Sequence, residues 1–172
     1  MKSQEILESL TPDLIEEIFS SIHALDKASY RSLIQSLATR KKLRPVYLER
    51  KPRIERHLWM RDQLVWSSNR DLSDQVLQIW LLSACQPMIC DFLDKLKIPH
   101  DGQGIVDVLP KEPDASLVQK TVKSLLETYP PIQVAVYLQF FADMADTPWE
   151  ELQKLLTTNE QLRLHKTEPS LP

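Results

Sequence analysis

Nine lysines and arginines crowd one stretch of the chain: Arg40, Lys41, Lys42, Arg44, Arg50, Lys51, Arg53, Arg56 and Arg61. Only Glu49 and Glu55 oppose them there, a net +7. The other 12 basic and 22 acidic residues leave the rest of the chain at −10, so the overall −3 hides a divided molecule. Cations gathered this way raise the local potential and steer an anionic partner. Arginine adds a planar fork that meets phosphate or carboxylate in two bonds. On a helix starting near Arg53, the side chains of Arg53, Arg56, His57 and Arg61 share about 140° of arc. Ile54, Leu58 and Val65 form the neighbouring apolar stripe, and Trp59 and Trp66, seven apart, lie together elsewhere. Tyr47 or a tryptophan offers a face on which a base can stack. The chemistry expected of Arg40 to Arg61, His57 included, is therefore contact with a polyanion or an acidic protein. Two plainer readings stand beside it. The arginines can pair internally with the acidic remainder, or they can form a solvated face with no partner.

Other chemistry-bearing residues are sparse. Asp91 and Asp94 lie three apart, near His100 and Asp101. Carboxylates with histidine suit a divalent metal. The spacing matches no zinc or calcium motif, however, and there is no His-Glu-x-x-His. Solvent-facing carboxylates and a His-Asp-Gly turn explain them more simply, so no metal and no cofactor is expected. Nucleophilic catalysis needs Ser or Cys beside a positioned base. None of His23, His57, His100 and His165 sits in a local signature, and Cys85 and Cys90 have apolar neighbours, which blunt a thiol. If the chain is an enzyme, His100 with Asp101 is the pair to examine.

Composition narrows the class. There are 2 glycines where average usage gives roughly 12. Phosphate loops and tight hairpins consume glycine, and Gly102 and Gly104 stand alone in Asp-Gly-Gln-Gly, so Walker and dinucleotide fingerprints are absent. The longest apolar run, Val134–Leu138, is five residues, against about 20 for a spanning helix. The first residues lead into a charged amphipathic stretch rather than an apolar signal core. A soluble, cytoplasmic protein is expected.

These residues must be carried by helices. Residues 3–10 form a short first helix. Thr11-Pro12 caps a second, with Leu14, Ile15, Ile18, Phe19, Ile22 and Leu25 at helical spacing. Asp26 caps a third, through Ala38, paired with the second because the link is short. Pro45 and Pro52 make residues 42–52 an extended connection. Helices follow from Arg53 to about Trp66, and from Asp71 or Ser73, with a break or kink at Pro87. Residues 97–113, with both glycines and three prolines, read as a long loop. Asp114 caps a helix that ends at Tyr129-Pro130-Pro131, where the next begins. Thr147-Pro148-Trp149-Glu150 reads as a capping box opening the last helix.

The expected fold is all-α, a single domain over residues 1–164 of about seven to nine helices, either an irregular bundle or a short two-layer helix-hairpin stack. A flexible tail over 165–172 is expected after it. The expected function is a non-catalytic binding or adaptor module, with the basic segment 40–61 touching an acidic or polyanionic partner. The alternatives are a nucleic-acid backbone binder and a small helical enzyme working near the 97–113 loop. A structural subunit, with Trp59, Trp66 or Trp149 exposed in the single chain and covered in a symmetric dimer, is a further class.

Overall fold

The computed structural model describes residues 1–68, 70–145 and 147–164; the expected tail at 165–172 lies outside them. The fold is all-α. Among the described residues there are ten α-helices, a closing 3-10 turn at Glu160–Leu162 and no strand. In order they are α1 (Ser3–Ser9), α2 (Pro12–Leu25), α3 (Lys27–Arg40), α4 (Pro45–Glu49), α5 (Arg53–Val65), α6 (Asp71–Ala84), α7 (Gln86–Lys95), α8 (Ala115–Thr128), α9 (Pro131–Met144) and α10 (Glu150–Thr158). The chain forms two compact units, residues 3–83 and residues 84–164 together with 1–2. No single helix is long and apolar enough to cross a membrane.

Local signals set most boundaries. The Thr11 side chain accepts from the Leu14 N–H and Pro12 occupies the first turn of α2. Asp26 Oδ1 accepts from the Ser29 N–H at 3.0 Å to cap α3. Asp114 Oδ1 accepts from the Ser116 N–H at 2.9 Å and caps α8. The break near Pro87 falls at Cys85, between α6 and α7. No regular element occupies residues 96–114, as the proline and glycine content predicts.

Three expectations are corrected. The connector is not extended throughout: Pro45–Glu49 is a helical turn and a half, and with it the described residues hold ten helices rather than seven to nine. Arg44 before Pro45 is extended, at ψ 132°, as the proline ring demands. Proline's fixed φ then suits the first helical position, and Pro52 acts only after α4 has ended. Nor does the Thr147 capping box form. The helix begins at Glu150 with Trp149 at its cap, and Trp149 is buried rather than exposed. The Glu112 carboxylate, from the long loop, accepts the N–H groups of Glu151 and Leu152 at 2.9 and 3.1 Å. Finally, α5 buries His57, Met60 and Leu64, while Ile54 is exposed and Leu58 and Val65 are half-buried. Its inner face is thus rotated from the Ile54–Leu58–Val65 stripe.

The unit of residues 3–83 packs α5 against α1 and α2, and α3 against α2, α4 and α5. Ile6, Leu7, Ile15, Ile18, Phe19, Leu37, Met60 and Leu64 are all essentially fully buried there. Complete burial of each such side chain stabilises the fold by about 1.5–3 kcal/mol. The unit of residues 84–164 packs α8, α9 and α10 on one another, with α7 against α8. Phe141 links an aromatic chain there, 5.3 Å from Phe92 and 5.0 Å from Trp149 between ring centroids.

Candidate nucleic-acid interface

Backbone geometry first divides the basic segment. Helix α3 ends in a Schellman turn: Leu43 N–H donates to the Ala38 carbonyl and Lys42 N–H to that of Thr39. This requires a left-handed residue after the cap, and Lys42 takes it, at φ 54°. The chain then reverses into α4, whose Leu48 is its one buried side chain. Arg40, Lys41, Lys42, Arg44 and Arg50 are left exposed. Arg40 donates to the Ser67 hydroxyl at 2.9 Å, and the Lys51 ammonium lies 5.7 Å from the Tyr47 ring centre. Within the described residues Lys41, Lys42, Arg44 and Arg50 have no carboxylate partner.

The α5 residues behave otherwise. Arg53 Nε lies 2.5 Å from Glu16 Oε1. Arg56 Nε donates to the Tyr30 hydroxyl at 3.0 Å and its Nη1 to the Glu49 carbonyl at 3.1 Å. Arg61 donates twice to Asp62 Oδ1, at 2.7 and 2.9 Å. His57 is fully buried, so it leaves the exposed face on which the sequence placed it.

His57 instead joins a polar chain that sequence reasoning missed. Its Nε2 lies 2.8 Å from the Tyr30 hydroxyl and its Nδ1 2.6 Å from Glu16 Oε2. Because Arg56 donates to the Tyr30 oxygen, the hydroxyl proton is free to point at Nε2. His57 is then neutral, with its Nδ1–H on the carboxylate. Burial drives the imidazole below its ordinary pKa, and the pull of Glu16 does not restore it. Burial works against ionisation of Glu16 too, but the Ser20 hydroxyl, His57 and Arg53 outweigh it and hold the carboxyl below the usual range. Burial raises Tyr30, against the opposing Arg56 charge. Both ring nitrogens of His57, both carboxylate oxygens of Glu16 and the Tyr30 hydroxyl have partners, which is how a histidine comes to sit at zero exposure. With the imidazole at zero exposure and both its nitrogens engaged, the arrangement is structural.

The second aromatic feature lies at the far end of α5. Trp66 is 80% exposed, whereas Trp80 and Trp149 are buried. It stands at a concavity whose wall includes Arg40, Lys41, Gln63, Ser67 and Ser68. Gln63 Oε1 is enclosed, without a hydrogen-bond partner among the described residues.

The 97–113 loop gives no comparable constellation. Asp101 Oδ1 accepts from the N–H groups of Gln103 and Ile105, which holds its pKa low. His100 lies 3.1 Å from Asp94 through Nε2, and its Nδ1 accepts from the Gly102 N–H at 3.1 Å. Both groups are thus committed to a turn. Asp91 pairs with Lys95. Among the described residues no three of His, Cys, Asp and Glu converge on a metal-sized space. Cys85 is buried and Cys90 half-buried; burial, then Asp94 and Asp101, push the Cys90 thiol up.

No family model, no curated protein and no solved structure matches the chain.

Proposed function

We propose that the protein is a non-catalytic binding module whose contact surface is the strip of residues 40–51, and that its partner is a polyanion. One observation carries this reading: Lys41 and Lys42 in the turn after α3, and Arg44 and Arg50 at the two ends of α4, are exposed and without carboxylate partners among the described residues. A free cation of this kind displaces the counterions condensed on a polyanion's phosphates or sulfates, and the released ions drive binding. The arginines of α5 contribute less, because Glu16, Tyr30 and Asp62 already occupy them.

The test is titration of labelled heparin across a salt series, with wild type and the triple variant Lys42→Glu, Arg44→Glu, Arg50→Glu. The variant leaves Arg53 and Arg56 in place and so keeps the Glu16–His57–Tyr30 chain. Wild type is expected to bind with affinity falling linearly in log–log against salt, and the folded variant to lose binding. Absence of wild-type binding at low salt would refute the reading.

A further inference from the structure

We infer that the polyanion is a single-stranded nucleic acid, and that one of its bases stacks on Trp66; this rests on the polyanion reading above. An indole 80% exposed is a large apolar face left in water. Its backbone is nevertheless fixed. Trp66 N–H donates to the Asp62 carbonyl at 3.0 Å. Gln4 Nε2, from α1, donates to the carbonyls of Leu64 and Ser67 at 3.3 and 2.5 Å, gripping the chain on both sides of Trp66. Arg40 holds the Ser67 side chain from α3. The backbone that carries the indole is therefore organised before any ligand arrives, which lowers the ordering cost of binding.

Three groups at this concavity match three parts of one nucleotide. The indole face takes the base by stacking, which works for any base because each has a π-face. Arg40 and Lys41, on the same concavity, supply the charge for the adjoining phosphate. Gln63 lines the same concavity, its Oε1 enclosed without a donor among the described residues, and rotation of its amide into the opening presents that acceptor to a base-edge N–H. Lys42, Arg44 and Arg50 continue the positive charge along the chain from Lys41, a track for further phosphates. A duplex meets the cations but hides its base faces. An acidic peptide meets them too but brings no flat ring.

The experiment compares a fluorescein-labelled mixed-sequence 12-nucleotide single strand, the same sequence as a duplex, poly-glutamate and heparin, each against wild type, Trp66→Ala and Trp66→Phe. Trp66 projects into solvent, so both variants are expected to fold, as circular dichroism will check. Wild type should prefer the single strand. Trp66→Ala should bind it about 10- to 100-fold more weakly, with an unchanged salt slope because no phosphate contact is lost. Trp66→Phe should recover part of the loss. Equal binding of duplex and single strand, no effect of Trp66→Ala, or tighter binding of poly-glutamate than of the single strand would each overturn the inference while heparin binding upholds the polyanion reading. If heparin and every oligonucleotide fail at low salt, both fall.

Discussion

Residues 40–51 carry six cations in twelve positions, and residues 53–61 carry three in nine. On paper the two halves differ little. In the fold the first half is exposed and lacks carboxylate partners at four of its cations, whereas the second is tied to Glu16, Tyr30, the Glu49 carbonyl and Asp62. The cause is the element beneath each. Helix α5 has 13 residues and a buried face, so packing on α2 brings its arginines to that helix's Glu16 and to Tyr30 of α3. Helix α4 has five residues and buries Leu48 alone. Arg44 and Arg50, which flank it, gain no carboxylate partner among the described residues. Density of charge in a sequence therefore reports free charge at helix ends and turns, and not along a face that packing brings against acidic or hydroxyl partners.

The largest effect that can break this contrast is loss of the shared acceptor. Glu16→Ala strips Arg53, His57 and Ser20 of a partner at once and should cost about 2–3 kcal/mol in urea unfolding; a change below 0.5 kcal/mol would place α5's arginines with the free ones. Tyr30→Phe comes next. It leaves His57 Nε2 without a donor and Arg56 Nε without an acceptor, and should cost about 1–2 kcal/mol by the same measurement.

Acidification should act on the same chain, more gently. His57 titrates below its ordinary 6.5 in the fold, so the unfolded chain binds the proton first. Stability contributed by the neutral imidazole is intact above pH 6.5 and is lost as pH falls toward the folded-state value. Glu16, also lowered, adds loss in the same direction below its ordinary 4.5. Urea midpoints should therefore drop between pH 7.5 and 5.5 in wild type, and drop less in His57→Gln; parallel curves would contradict the neutral assignment. Smallest of all, Lys42→Gly should separate the two halves from the other side. It removes a free cation and relieves the left-handed strain at φ 54°. We expect about 0.5–1 kcal/mol of added stability together with weaker heparin binding, read by melting temperature and titration on one preparation.

Helix positions were legible where the cue was local. Thr11-Pro12, Asp26, Asp114 and the pause before Pro131 each act within four residues. What escaped depends on distance or on a rule broken. His57 and Glu16 are 41 residues apart, and nothing in either neighbourhood marks the pair. The buried face of α5 follows from packing against α1 and α2, which chooses Met60 and Leu64 over Ile54. The turn at Lys42 hides because glycine usually marks it. The +7 segment itself was plain, but which of its cations were spoken for was not, and neither was the company Trp66 keeps with Arg40.

Glu112 bears on how the chain tolerates changes of length. Helix α10 has nine residues, too few to persist unaided in water, and two of its leading N–H groups close on a carboxylate 39 and 40 positions upstream. The irregular segment before it is thus anchored at its far end. Residues inserted among 101–108, where the surface is mostly exposed, only lengthen the slack. A deletion that draws Glu112 away from Glu151 removes the foothold of a helix that shares no sequence neighbourhood with the cut.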